Sequence, residues 1–259
     1  MQRRIRLFPK STEVRSVAGV ERLAIGGCDL TELAEAYGTP LYLYDQSALD
    51  AAVDEYRASL AAHYPGGGGI TYAGKALMNL AAARWAAGRG LWVDCTGAGE
   101  LYIAAKASVP RDQILVHGVN KSDADLQAAL TTAGTIVVDN LWELERLAAL
   151  SAGVADFPNL WLRVRPGLAV DTHAFRQTGQ DDSKFGMGFA EMVQAVTLCR
   201  TSGLPLTGIH FHQGSHFHDP EPIGPALERV LELLAELRDA SGWTPAYLSP
   251  GGGWGVPYH

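Results

Sequence analysis

A chain of 259 residues is long enough for one large α/β barrel or two ordinary domains. Hydrophobic residues make up 47% and charged residues 19%, which excludes a disordered chain and points to a packed core. The formal net charge of −7 argues against a nucleic-acid surface and leaves room for a small basic pocket that takes a phosphate. No apolar run approaches the roughly 20 residues of a membrane span, and the basic start Met1-Gln2-Arg3-Arg4-Ile5-Arg6 is not followed by an apolar stretch of signal-peptide length. Cys28, Cys95 and Cys199 are scattered, in no metal or redox spacing. The expected setting is a soluble, reducing compartment, most simply the cytoplasm.

Residues 1 to 39 are mixed, with one short helix predicted over Asp29–Gly38, where Asp29 is the N-cap and Gly38 the stop. From there strands and helices alternate. Strand-like runs are Pro40–Asp45, Ile70–Lys75, Leu91–Cys95, Ile114–Gly118, Thr135–Asn140, Leu160–Pro166, Leu206–Gln213 and Ala246–Pro250. Helical patterns rich in alanine and leucine lie between them: Ser47–His63, Met78–Ala87, Gly99–Ala107, Ser122–Thr131, Leu141–Leu150, Ala190–Ser202 and Pro225–Ala240. The irregular segment from about Leu168 to Gly186 is charged and long enough for a binding loop.

Strict alternation predicts a parallel sheet, either doubly wound or closed into a barrel. The first strand is not followed by Gly-x-Gly-x-x-Gly, so the dinucleotide-binding form of the open sheet lacks its signature. Polar residues close nearly every strand: Lys75, Asp94, His117, Asp139, Arg163 and His212. A barrel gathers such strand ends into one mouth, which favours it. His117 and Asp139 carry no weight in this reading, because any strand must end in something polar.

Lys75 ends the run Gly69-Ile70-Thr71-Tyr72-Ala73-Gly74-Lys75-Ala76. A lysine at the C-terminal end of a strand points into the mouth of an α/β fold, where a partly desolvated amine can become a nucleophile towards carbonyls; the alternative is a solvated lysine at a strand end. Ser249-Pro250-Gly251-Gly252-Gly253-Trp254-Gly255 follows the last strand. Consecutive glycines let backbone N–H groups approach an anion without a Cβ in the way, although they also serve as plain turns. The segment His210-Phe211-His212-Gln213-Gly214-Ser215-His216-Phe217-His218 holds four histidines. Alternation puts His210 and His212 on one face. Three readings stand here: His210 buried and neutral with His216 and His218 on the rim, a zinc-type metal site, or an imidazole flat on a cofactor ring with Ser215 on its phosphate. Arg163, in an otherwise apolar strand, needs an acidic partner or a phenolate-like oxygen if it faces inward, and Asp94 is the candidate partner.

Read together, these segments resemble the alanine-racemase-like class of pyridoxal-phosphate decarboxylases, and within it the diaminopimelate decarboxylase family. The resemblance covers roughly residues 26 to 259. It rests on Gly38-Thr39-Pro40-Leu41-Tyr42-Leu43-Tyr44-Asp45, on Tyr72-Ala73-Gly74-Lys75-Ala76, and on Val93-Asp94-Cys95-Thr96-Gly97-Ala98-Gly99-Glu100-Leu101. It continues through Leu162-Arg163-Val164-Arg165-Pro166-Gly167, with arginine where asparagine is usual, and through Thr178-Gly179 to Ser183-Lys184-Phe185-Gly186. His210-Phe211-His212-Gln213-Gly214-Ser215, with Gln213 where isoleucine is usual, and Gly251-Gly252-Gly253 complete the series in order.

The resemblance implies a TIM-type (β/α)8 barrel that binds pyridoxal phosphate. It makes Lys75 the Schiff-base lysine and, with His212, a catalytic residue. It stacks His212 on the pyridine ring and puts Ser215, Gly252 and Gly253 on the phosphate. Arg163 lies near the ring's phenolic oxygen, Asp94 and Glu100 line the lysine's side, and no metal is required. The implied reaction is decarboxylation of meso-2,6-diaminopimelate to L-lysine by a homodimer. The alternatives are ornithine, arginine or carboxynorspermidine as substrate, a metal-dependent barrel hydrolase using His210 to His218, or a relative that binds without turnover. The family's chains continue beyond the glycine loop with a Glu-Pro-Gly-Arg motif and a C-terminal β-domain. The expectation is therefore a truncated barrel over 40–259, holding seven of eight strands, with 1–39 packing on the absent domain. Two open edges predict poor folding and little activity for these residues alone.

Overall fold

The computed structural model describes residue 5 and residues 7–167, 183–221 and 223–256. It divides into two compact units, one running to Ile70 and one over Thr71–Val256.

The first unit contains an antiparallel sheet that the sequence does not advertise. Strands β1 (Glu13–Val17) and β2 (Val20–Ile25) form a hairpin through Ala18-Gly19, and β2 also pairs with β3 (Cys28–Asp29). Both turn residues have positive φ (52° and 80°), the geometry that matches the twist of a two-residue hairpin. Every residue of β1 is exposed, so no buried face imposes an alternating pattern on it. Helix α1 (Leu30–Tyr37) follows as expected. The Asp29 carboxylate accepts from Thr31 N at 2.7 Å and Glu32 N at 3.2 Å, and Gly38 stops the helix at φ +81°. The expected strand over Pro40–Asp45 is not formed. Its backbone has no partner strand among the described residues, and Leu41, Tyr42, Leu43 and Tyr44 are exposed. Helix α2 (Gln46–His63) is capped by Asp45, whose carboxylate accepts from Ser47 N at 3.0 Å and from the Ser11 hydroxyl.

The second unit is built on seven parallel strands in strict sequence order: β4 (Thr71–Ala73), β5 (Trp92–Cys95), β6 (Ile114–Val116), β7 (Thr135–Val138), β8 (Asn159–Arg163), β9 (Leu206–His210) and β10 (Tyr247–Ser249). Between them lie α3 (Leu80–Gly88), α4 (Ala98–Lys106), α5 (Asp123–Thr132), α6 (Leu141–Leu150), α7 (Phe189–Thr201) and α8 (Ile223–Ser241), with α3 packed on α4, α4 on α5, α6 on α7 and α7 on α8. Side-chain caps start several of them. Asn79 accepts from Ala82 N at 2.8 Å, Asn140 accepts from Glu143 N at 2.9 Å, and Ser122 and Asp125 form a reciprocal capping box. The expected strands overrun the observed ones at their C-terminal ends, where the chain leaves the ladder to form the mouth.

Alternation sorts each strand between two environments. Val93, Cys95, Ile114, Val116, Ile136, Val138, Leu160, Leu162 and Ile209 are buried, and most belong to one parity. The other parity carries Trp92, Trp161 and Tyr247, whose rings meet at centroid distances of 5.3, 6.1 and 5.6 Å. Strands β5 and β10 are five steps apart in the sheet, about 24 Å if the sheet were flat. Rings 6.1 Å apart therefore require the sheet to curl around this face. The result is a partial TIM-type barrel whose lumen carries aromatic rings in one layer. The layer above them, towards the strand ends, holds the polar residues. The sheet is not closed among the described residues, since β4 and β10 have one partner each.

Candidate active site

Lys75 is not on a strand. β4 ends at Ala73, and a 3-10 turn over Gly74–Ala76 carries the lysine, which is exposed. Two features shape this turn. The Tyr72 hydroxyl donates to Leu77 O at 2.7 Å across it. Gly74 is buried so tightly that an ideal Cβ falls 2.6 Å from both Asp94 O and Met78 Cε. Only glycine lets the turn approach β5 this closely.

Parallel register aligns the polar layer. Arg163 pairs with His210, and His210 with Ser249, so three neighbouring strands present these side chains at one level. The His210 Nδ1 and Ser249 Oγ lie 3.0 Å apart. The His117 and His210 rings meet edge to face at 4.3 Å across the lumen, although their strands are three steps apart. His117 Nδ1 is 3.8 Å from Asp94 Oδ2. The Arg163 guanidinium bonds to Asp139 Oδ1 at 3.2 Å, both residues nearly fully buried, and the Phe185 ring covers it at 4.4 Å. This corrects the expected pairing with Asp94. It also shows that Asp139, buried, and His117, partly buried, which carried no weight in the sequence, are members of the layer. Nothing in the sequence distinguishes an inward strand end from an outward one, so only the register identifies them.

Burial dominates the electrostatics. Desolvation raises the Asp94 carboxyl to about 7, against the pull of Lys75, Lys121 and Arg163. Desolvation first, then the charges of Arg163 and Lys75, pushes His212 down to about 4. His117 and His210 are held well below the usual imidazole range, again chiefly by desolvation, so both are neutral. The buried-neutral reading of His210 holds. Three buried atoms here have no hydrogen-bond partner among the described residues: Asp94 Oδ1, His117 Nε2 and His210 Nε2. Beneath the mouth Lys121 Nζ donates to Glu143 Oε1 at 2.7 Å and Val137 O at 2.8 Å, a buried pair that anchors the loop carrying His117.

The glycine loop meets the histidine segment. Phe217 N donates to Gly253 O at 2.9 Å and Gly255 N to Phe217 O at 2.7 Å. Gly252 N points at His212 Nδ1, 3.4 Å away. Gly251 has φ +74°, and a Cβ there falls 2.7 Å from both His212 Nδ1 and Phe211 O. Around Gly252 there is open space. His212 lies beyond the end of β9, so the shared strand face expected for His210 and His212 does not extend to it. His216 Nε2 and His218 Nε2 are 3.1 Å apart, but no group of three metal-ligating side chains comes together among the described residues. Ser183 to Gly186 are described, whereas Thr178 to Asp182 of the expected loop lie outside the described residues. A cavity of about 520 Å³ at the opposite end of the strands, lined by Trp92, Trp161, Thr207 and Tyr247, contains none of these strand-end groups.

A partial parallel barrel with a lysine turn, a layer of buried polar strand ends and a glycine loop defines the class. The chain belongs to the pyridoxal-dependent decarboxylases through their pyridoxal binding domain, which matches residues 49–259. The group such a domain takes is pyridoxal phosphate. Among relatives, the chain is 36% identical over 259 residues to the diaminopimelate decarboxylase of Corynebacterium efficiens, covering 97% of this chain and 54% of that protein. It is equally similar, 36% over 245 residues, to the diaminopimelate decarboxylase of Bacillus subtilis, covering 91% of this chain and 54% of that one. The solved diaminopimelate decarboxylase of M. jannaschii in complex with L-lysine superposes with a TM-score of 0.84 at 27% identity, over 96% of this chain and 58% of that one. The chain thus spans about half the length of the curated relatives it matches. No helix among the described residues is long and apolar enough to cross a membrane.

Proposed function

We propose that the chain is the cofactor-binding part of an amino-acid decarboxylase that converts meso-2,6-diaminopimelate to carbon dioxide and L-lysine. The observation that carries the reading is Lys75, presented on a tight turn beside the polar layer, in a chain similar along nearly its whole length to diaminopimelate decarboxylases. The residues present fit pyridoxal phosphate. Three orphaned buried polar atoms await partners, and the glycine loop leaves backbone open where a Cβ elsewhere in it collides with His212. When bound, the cofactor supplies an electron-poor ring that takes up the electron pair released as the carboxylate leaves.

This chain's residues do the rest. Lys75 is the amine that would hold the cofactor. His212, neutral, would lie against its ring. Ser215, Gly252 and Gly253 hold the phosphate through a hydroxyl and backbone N–H groups. Arg163, fixed by Asp139, places a positive charge near the phenolic oxygen, while Asp94 and Glu100 line the lysine's side. Glu100 is itself oriented by Thr96 N at 2.6 Å and Thr96 Oγ1 at 2.8 Å. The overall balance is loss of one carboxylate as carbon dioxide and gain of one proton at the carbon that bore it. The reading includes a homodimer in the cytoplasm, where the free thiols of Cys28, Cys95 and Cys199 persist.

The test is to load purified protein with pyridoxal phosphate, reduce with borohydride, digest and locate the adduct by mass spectrometry. A pyridoxyl group on Lys75 is expected, and, in the longer enzyme of which this chain would be the cofactor-binding part, lysine formation from diaminopimelate with none of comparable rate from ornithine or arginine. A well-folded protein without the adduct overturns the cofactor reading. An adduct with faster turnover of ornithine overturns only the substrate.

A further inference from the structure

Strand β8 ends at Arg163, and two residues beyond it Arg165 has left the ladder, so the two guanidinium groups take different partners. Arg163 points into the polar layer. Arg165, which stands where the family's asparagine is usual, turns to the segment that returns from the loop. Its Nη1 donates to Ser183 O at 3.1 Å and to Gly186 O at 3.2 Å. Its Nη2 lies 3.9 Å from Glu191 Oε2, which also accepts from Gly188 N at 2.9 Å. One guanidinium therefore bridges both ends of the four-residue turn Ser183–Gly186. Bonds from a charged donor to carbonyls are among the stronger hydrogen bonds, and the planar fork presets their geometry.

That turn carries Phe185, whose ring lies 4.4 Å over the Arg163 guanidinium. Beyond the turn the backbone is secured independently. Met187 N donates to Arg163 O at 2.8 Å, and Arg165 N to Met187 O at 2.9 Å. Within the turn, Phe185 N reaches Ser183 Oγ at 3.2 Å, a bond internal to the segment that does not tie it to the sheet. Among the described residues, the hydrogen bonds that tie the turn to β8's side of the mouth come from the Arg165 side chain.

We propose that Arg165 is a positioning residue: by clasping the Ser183–Gly186 turn it seats Phe185 on Arg163 and so sets the charge that Arg163 offers the cofactor. The role rests on the cofactor reading above. The ring keeps water from the Arg163–Asp139 pair, and a drier pair acts at lower dielectric on whatever oxygen lies beside it. Releasing the turn lets water in and weakens that interaction without touching any group that contacts the cofactor.

The experiment is a double-mutant cycle in the purified protein with Arg165→Met, Phe185→Leu and both together. It is read by the apparent Kd for pyridoxal phosphate added to the cofactor-free form and by the pH dependence of the bound cofactor's visible absorption. Each single change is expected to weaken binding about fivefold, the scale of one modest cation–π contact, and to shift the absorption profile in the same direction. The double variant is expected to be no weaker than either single, because both remove one device. Arg165→Lys, able to reach one carbonyl, recovers part of the affinity. Additive losses, or an unaltered Kd in Phe185→Leu, overturn the proposal. If Arg165→Met does not fold, Arg165→Lys and Phe185→Leu form the cycle, with the same two outcomes deciding. A wild-type protein that takes no cofactor on Lys75 defeats the cofactor reading and this role with it. Cofactor uptake with an additive cycle defeats only the role of Arg165.

Discussion

Four titrating side chains of the polar layer have opposite effects on stability. His117, His210 and His212 are neutral in the folded chain at pH values where free imidazole is protonated, so acid costs stability as pH falls below their usual value near 6.5. Asp94 works the other way: its carboxyl is raised to about 7, so the folded chain keeps a proton that the unfolded chain has lost, and stability falls as pH rises towards 7. Glu143, raised by desolvation against the pull of Lys121, has the same sign as Asp94. Three imidazoles outweigh two carboxyls near pH 5.5, so stability rises with pH there. Above the imidazole range that rise flattens as Asp94 ionises. Urea titrations at pH 5, 6, 7 and 8 are expected to show this rise and then a plateau. A stability that climbs steadily from 6 to 8 contradicts the placement of Asp94. At this scale Lys75, His212 and Arg163 stand out in the sequence because a lysine, an imidazole or a guanidinium at a strand end has specific chemistry. Asp139 does not stand out, because its value lies in a partner on the next strand.

At the scale of elements, β9 meets β8 with a register irregularity beside Leu160 and Trp161, and Gly208 faces the Trp161 ring. An ideal Cβ on Gly208 falls 2.5 Å from Trp161 Cδ1, and that ring is itself 4% exposed and stacked on Tyr247. A rigid indole in a packed lumen cannot swing away, so Gly208→Ala is expected to cost about 1–3 kcal/mol. Equilibrium denaturation measures it, and an unchanged midpoint shows that the lumen tolerates the methyl group. Helices are the most legible elements here. Asp29, Asn79, Ser122 and Asn140 each stand one residue before the first helical turn, as their side-chain oxygens require. The β1–β2 hairpin is less legible, since a strand exposed on both faces has no hydrophobic period to read. The Pro40–Asp45 run shows the converse: an apolar, strand-like sequence stays unpaired when no backbone lies beside it.

For the whole second unit, strand order follows chain order without a crossover, the topology that right-handed β-α-β connections produce. The two outer strands, β4 and β10, each keep one unpaired edge among the described residues. Unpaired edges recruit other strands. The isolated 259-residue chain is therefore expected to self-associate in a concentration-dependent way, followed by size-exclusion chromatography with light scattering. A monodisperse monomer at all concentrations overturns that expectation. The alternation of elements, the Asp29 cap with its Gly38 stop, and the placing of Lys75 just after a strand follow from the sequence alone, because each depends on residues near one another in the chain. Which strand ends share a level, that Asp139 rather than Asp94 holds Arg163, and that Phe185 covers Arg163 are decided only in three dimensions. Those contacts depend on sheet register and on curl, and both are set by the packing of the whole sheet rather than by any local run of residues.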